Sequence, residues 1–185
     1  MMEQFVTRLR GDGAARSINR TQSPIRAHGV PWATIMLGSL APWLPVIAPA
    51  PILPPFGFLM LLAWRLGRPN LLPLWAGLPL GLFDDLYSGQ PLGSAILLFS
   101  LALIAIDLIE IRFPWRSFWL DWATAILLLA IYLAAGALFA RTPLGQLQWQ
   151  LVGSQLLLSI VLFPIFARIV AMLDRVRLKR VRRID

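Results

Sequence analysis

The stretch GLPLGLFDDLYSGQPLG (residues 77–93) combines an apolar, glycine-containing run with two adjacent carboxylates. Gly77, Gly81 and Asp85 follow one another at intervals of four residues, and this spacing places them on one face of a helix. Two glycines at this spacing allow the backbone of a second helix to approach closely. We therefore expect Asp85 to point into the protein, with Asp84 about 100° around the helix from it.

The residues after the two acids predict the end of this helix and the start of another. Ser88 and Gly89 form the expected turn, and Gly93 precedes the next apolar run. The first backbone amides of a helix lack partners within the helix, and its N-terminus favours a negative charge. We therefore expect Asp85 to accept hydrogen bonds from the amides that open the second helix. Asp84 is expected to be solvated at the boundary of the membrane.

The composition of the chain is typical of an integral membrane protein. Of its 185 residues, 58% are hydrophobic and 14% are charged, whereas a soluble domain is about a quarter charged and under half apolar. Uncharged stretches recur at residues 30–64, 86–106, 122–140 and 142–167. Because about 18 apolar residues are enough for a membrane-spanning helix, the sequence predicts an all-α, polytopic membrane protein.

We predict six transmembrane helices from these stretches. Their ranges are 30–49, 54–67, 70–87, 91–111, 117–140 and 147–172. The first uncharged stretch is too long for a single crossing of a hydrocarbon core about 30 Å thick, and prolines interrupt its middle. A six-helix transmembrane domain would then cover residues 30–173. A flexible, Arg-rich cytoplasmic tail at 1–29 would precede it, and a basic cytoplasmic tail at 174–185 would follow.

The basic residues predict the orientation of the chain. With this set of spans, 16 of the 17 Lys and Arg residues fall on one side of the membrane. Cytoplasmic connections carry the excess of basic residues, so both termini are expected in the cytoplasm. The residues to which we assign this orienting role are Arg65, Arg68, Arg112, Arg116, Arg175 and Arg177. A hairpin that re-enters the membrane at the second and third spans would leave Arg65 and Arg68 at mid-membrane, which is costly.

The remaining acidic residues in the spans are expected to form ion pairs rather than to act in catalysis. Asp107 and Glu110 share a helix face near the cytoplasmic end of the fourth span, and we expect Arg112 and Arg116 to neutralise them. The chain has no cysteine and one histidine, so a zinc or haem site is not expected. We predict no cofactor, no metal and no catalytic residue, because no nucleophile or base accompanies the paired carboxylates.

Residues 54–93 resemble the bacterial MreD family of rod shape-determining proteins. The resemblance consists of a proline entering the second span, a Gly-rich third span that ends in an Asp, and then Ser-Gly and Leu-Gly. The residues that carry it are Gly77, Gly81, Asp85, Ser88, Gly89, Leu92 and Gly93. The long Arg-rich N-terminal tail and the additional acid Asp84 depart from the family pattern.

The resemblance implies a non-catalytic scaffold subunit of the cell-elongation complex in the bacterial inner membrane. The implied partners are MreC, MreB and the elongation-specific glycosyltransferase and transpeptidase that build peptidoglycan. We also expect contacts with membrane lipids and no binding of nucleic acid. Whether the chain forms a homo-oligomer is left open by the sequence.

The same resemblance supplies an alternative function. The family looks similar in fold to the six-helix substrate-binding subunits of energy-coupling-factor transporters. The alternative is therefore a membrane-embedded, small-molecule-binding subunit of a transporter. It predicts a polar cavity near the outer face, with Asp84, Asp85, Tyr87 and Gln90 facing a ligand.

Overall fold

The structure is a computed structural model that describes residues 24–43, 53–113, 117–139 and 145–177, and in these ranges it contains α-helices and no strand. The helices are α1 (Pro24–Ser39), α2 (Phe56–Gly67), α3 (Gly77–Ser88), α4 (Ser94–Arg112), α5 (Phe118–Phe139) and α6 (Gln146–Arg177). Two short 3-10 turns lie at Ala41–Trp43 and Leu74–Ala76. The predicted all-α fold class is confirmed.

Each helix lies on one of the six predicted spans, and the main differences are at the helix ends. α1 begins at Pro24 and ends at Ser39, so residues 24–29 are helical although we predicted them to be part of a flexible tail. α3 begins at Gly77 rather than at residue 70, because Pro73 is extended and leads into a 3-10 turn. The rest of the predicted N-terminal tail and residues 178–185 lie outside the described residues.

Within the described ranges, three helices are long and apolar enough to cross a membrane. These are α4, α5 and α6 up to Arg175. By contrast, α2 and α3 have 12 residues each, which corresponds to about 18 Å of helix and is shorter than the hydrocarbon core. Six complete crossings therefore remain a prediction.

Helix α2 lies at the centre of the packing. Every residue from Gly57 to Leu66 is buried, and the helix contacts α1, α4, α5 and α6. Phe58 stacks on Tyr132 of α5 with ring centroids 4.2 Å apart, and its ring is 5.4 Å from that of Phe99 in α4. A helix that is apolar on all sides is expected inside a helical bundle, so α2 is the core around which the longer helices pack.

The outward surfaces of α3 to α6 are apolar. Large aliphatic side chains that are exposed in the structure include Leu78, Leu82, Leu101, Leu127, Ile131, Leu157, Val161 and Ile165. Such a surface is suited to lipid chains or to the apolar helices of other membrane proteins. By contrast, the polar side chains of Arg65, Asp84 and Asp85 are buried between the helices.

Candidate functional site

The two glycines of α3 lie where this helix crosses α4. A Cβ atom added to Gly81 would lie 2.5 Å from the Cα of Ile96 and 2.7 Å from the carbonyl oxygen of Ala95. A Cβ atom added to Gly77 would lie 2.7 Å from the Cα of Ser100. These neighbours are backbone atoms, which cannot move unless α4 moves with them. The close contact between the two helices therefore requires glycine at both positions.

Asp85 caps the N-terminus of α4 from the neighbouring helix. Its carboxylate accepts hydrogen bonds from the amides of Gly93 and Ala95, both at 2.8 Å, and from that of Ile96 at 3.3 Å. The Ser94 hydroxyl lies 3.2 Å from the same carboxylate. Gly93 is the N-cap residue of α4 and has no side chain to cap the helix. Asp85 therefore satisfies amides that would otherwise lack partners, at the helix end that favours a negative charge.

The turn between α3 and α4 requires glycine for a different reason. Gly89 ends α3 with a φ of 70°, and Gly93 begins α4 with a φ of 96°. Both values are in the left-handed region, where other residues are strained. Ser88 is the last residue of α3, and its buried hydroxyl has no hydrogen-bond partner among the described residues. The structure thus brings all six predicted interaction residues together at the α3–α4 junction, and their functional role stays a prediction.

Asp84 is buried, so our expectation that it is solvated is wrong. Its relative exposure is 6%, and one carboxylate oxygen accepts a hydrogen bond of 3.2 Å from the Tyr132 hydroxyl of α5. A Cβ atom added to Gly57 would lie 2.9 Å from the other oxygen and would also collide with the Ser39 hydroxyl. The ends of α1 and α2 and the middle of α5 cover the side of α3 that bears Asp84, and this long-range packing could not be predicted from the spacing.

A polar cavity of about 200 Å³ lies beside Asp84. The polar residues that line it include Ser39, Asp84, Gln90, Tyr132 and Gln155. A second cavity of about 200 Å³ shares Gln90, Tyr132 and Gln155 with the first. These residues come from α1, α3, α5, α6 and the turn after α3, and they lie between the helices.

The cavity contains two of the side chains predicted to face a ligand, Asp84 and Gln90. Asp85 is directed to α4, as described above. Tyr87 packs its ring against Phe83 and Trp43, with centroids 4.7 Å and 5.8 Å away. The prediction missed Ser39, Tyr132 and Gln155. One signal for Tyr132 was available, because it is one of only two tyrosines and the only polar side chain between residues 125 and 140.

A second polar cluster lies at the other end of α2. Arg65 is 1% exposed and donates hydrogen bonds of 2.8 Å to both Asp107 and Glu110. The two acids are one turn apart on α4, so both reach the same guanidinium group. We had placed Arg65 in a connection and had paired these acids with Arg112 and Arg116. Arg65, in the last turn of α2, is a buried partner that the prediction did not include, and Arg116 lies outside the described residues.

Two further arginines connect α2 to the end of α6. Asp174 is buried and accepts a hydrogen bond of 2.8 Å from the Nε of Arg68, and it pairs with Arg177 at 3.1 Å. Arg177 also lies over the ring of Trp64, 5.9 Å from its centroid. Arg112 and Arg175, which we assigned to membrane orientation, are exposed residues in the last turns of α4 and α6. The basic side chains named here therefore lie near the C-terminal ends of α2, α4 and α6.

The comparison with protein families gives one match. The family model described as rod shape-determining protein MreD matches residues 32–174, a range that contains α2 to α5, half of α1 and most of α6. No curated protein and no solved structure gives a significant match. The similarity in fold to energy-coupling-factor subunits thus stays a prediction.

Proposed function

The chain belongs to the MreD family of rod shape-determining membrane proteins, and we propose that it is a non-catalytic scaffold of the cell-elongation complex. In this proposal it lies in the bacterial inner membrane and helps to organise peptidoglycan synthesis. Its proposed partners are MreC, MreB, and the glycosyltransferase and transpeptidase of elongation. The observation that carries the proposal is the family match, which extends over the helices that form the α3–α4 junction.

The buried polar side chains hold helices together, and this role supports a scaffold function. Asp85 joins α3 to α4, Arg65 joins α2 to α4, and Arg68 joins α2 to α6. Each of these groups holds two helices in a fixed arrangement. The exposed faces of α3 to α6 are meanwhile apolar, which suits helix–helix contacts within a bilayer.

The proposed topology has both termini in the cytoplasm. Arg65, Arg68 and Arg177 lie at one end of the bundle and Asp84 and Asp85 at the other. Basic residues concentrate on the cytoplasmic side of membrane proteins, so we assign the arginine end to the cytoplasm and the two acids to the periplasmic side.

Cysteine crosslinking in membranes tests the proposed partners. Because the chain has no cysteine, a single introduced cysteine gives an unambiguous position. We would place one at Leu82 of α3 or Leu127 of α5, both exposed, and at the buried Leu61 as the matched control. A bifunctional crosslinker should join an exposed position, and not the control, to MreC. Failure of every exposed face to crosslink with MreC, together with no co-purification after mild detergent extraction, would contradict the proposal.

A further inference from the structure

We propose that the cavity beside Asp84 binds a small molecule through its primary ammonium group. The proposal concerns the cavity between α1, α2, α3, α5 and α6, and it does not depend on the scaffold function. It stands on three observations: the burial of Asp84, the lack of a basic partner for it among the described residues, and the size and lining of the cavity.

The environment of Asp84 differs from that of the other buried acids. Asp174 pairs with arginines, and Asp85 is held by several backbone amides. Asp84, in contrast, is hydrogen-bonded only by the neutral hydroxyls of Tyr132 and Ser39, and no basic residue in the described part of the chain pairs with it. A buried charge is stable only when it is paired and hydrogen-bonded. A bound cation would supply the positive charge that the carboxylate of Asp84 otherwise lacks as a partner.

The acceptor atoms around the cavity match the donors of an ammonium group. An ammonium group has three N–H donors and no acceptor. Asp84 offers the carboxylate oxygen that lies near Gly57, and Tyr132 retains lone pairs after donating its own proton to Asp84. Ser39 is 2% exposed and lines the same cavity, and its hydroxyl oxygen keeps lone pairs when it donates its proton to Asp84. Three acceptors of this kind can take the three N–H bonds of one ammonium group.

The size of the cavity limits the ligand. Its volume of about 200 Å³ equals the liquid volume of about six water molecules. A second cavity of about 200 Å³ lies on the other side of Gln90, Tyr132 and Gln155, which line both cavities. The amide side chains of Gln90 and Gln155 can hydrogen-bond a polar group at the far end of a ligand. The site therefore fits a short aliphatic amine that ends in an amide, hydroxyl or similar group.

Two matched compounds test this ligand class. 6-Aminohexanamide has an amine, a five-carbon chain and an amide, whereas hexanamide lacks the amine and keeps the rest. The full chain in lipid nanodiscs would be heated with each compound at millimolar concentration. At about ten times its dissociation constant, the amine should raise the unfolding midpoint by about 3–6 °C, and hexanamide should leave it unchanged. Equal shifts with both compounds, or no shift with the amine, would overturn the proposal.

Substitutions locate the binding. Asp84→Asn keeps the shape of the side chain and removes its charge, so it should weaken amine binding at least tenfold in the same assay. Asp121→Asn is the control, because it removes a carboxylate from the opposite end of α5 and should leave the affinity unchanged. If Asp84→Asn does not fold, Ser39→Ala is used, with an expected loss of about threefold to tenfold. Wild-type affinity in the folded variant would refute the assignment.

A final arm separates an ammonium group from an inorganic cation. The unfolding midpoint would be compared in sodium chloride and in choline chloride at equal ionic strength. An equal midpoint in the two salts, with a shift on adding the amine, is the expected result. A shift specific to sodium, without one from the amine, would show that the cavity is an inorganic cation site and would overturn the ammonium proposal.

Discussion

Replacing Asp85 with alanine should destabilise the α3–α4 junction by about 2–4 kcal/mol. A hydrogen bond to a charged group contributes about 1.5–3 kcal/mol, and a buried donor left without a partner costs about 1–3 kcal/mol. The amide of Ala95 belongs to a fully buried residue, whereas Gly93 is exposed, so water can replace the carboxylate only at Gly93. Loss of the hydrogen bond to the amide of Ala95, together with loss of the longer hydrogen bond to the amide of Ile96, therefore accounts for the destabilisation of about 2–4 kcal/mol.

Asp85→Asn separates the charge from the shape of this side chain. Asparagine keeps one oxygen acceptor but turns an NH2 donor toward the remaining backbone donors, so it should recover at most half of the loss. Leu86→Ala is the matched control, because Leu86 is the next residue of α3 and is 61% exposed. Its effect should stay within about 0.5 kcal/mol.

The free energy of unfolding would be measured in bicelles by steric trapping or by titration with sodium dodecyl sulfate, with tryptophan fluorescence as the signal. If Asp85→Ala unfolds within 0.5 kcal/mol of the parent chain, the carboxylate does not cap α4 and our reading of the junction is wrong. If Asp85→Asn matches the parent chain, the charge is dispensable even though the hydrogen bonds are present.

Five further substitutions test the packing and the proposed cation site. Gly81→Ala should destabilise the chain by about 2–3 kcal/mol, because the added Cβ atom meets the backbone of α4. The control Gly153→Ala adds a Cβ atom with no other atom within 4 Å, so it should stabilise the chain by about 0.5–1 kcal/mol. Equal effects of the two substitutions in an unfolding titration would refute the close contact of α3 with α4. Arg65→Ala should cost about 2–3 kcal/mol, because it removes the buried cation that hydrogen-bonds Asp107 and Glu110 and so joins α2 to α4. Arg68→Ala should cost under about 1 kcal/mol, because the side chain is 53% exposed, and a larger loss for Arg68 than for Arg65 would reverse the assignment. Gly57→Ala should abolish the thermal shift by 6-aminohexanamide, because the new methyl group enters the space between Ser39 and Asp84, and an unchanged shift would contradict the proposed site.

Features that depend on neighbouring residues could be predicted from the sequence. Long uncharged runs identify the helices, and the spacing of Gly77, Gly81 and Asp85 identifies the face of α3 that lies against α4. That face can be identified because α3 and α4 are consecutive and are joined by a short turn. The contact is therefore local in sequence, with Asp85 only ten residues from Ala95.

Features that depend on distant residues could not be predicted in this way. Asp84 is buried by Tyr132, which is 48 residues away, and Arg65 meets Asp107 and Glu110 across 42 and 45 residues. The spacing of residues along α3 does not show which helix covers the side that bears Asp84. Similarly, an arginine near the end of an apolar run can lie in a connection or between two helices, and only the packing of α4 against α2 decides between them.

The scaffold proposal is tested most directly by the width of rod-shaped host cells during depletion of this chain. The measurement would follow cell width and the incorporation of a labelled peptidoglycan precursor into the lateral wall. The scaffold proposal predicts that cells widen and become round while lateral-wall incorporation falls, and that re-expression of the chain restores both. Cells that keep their width and their lateral incorporation after the protein has disappeared would contradict it.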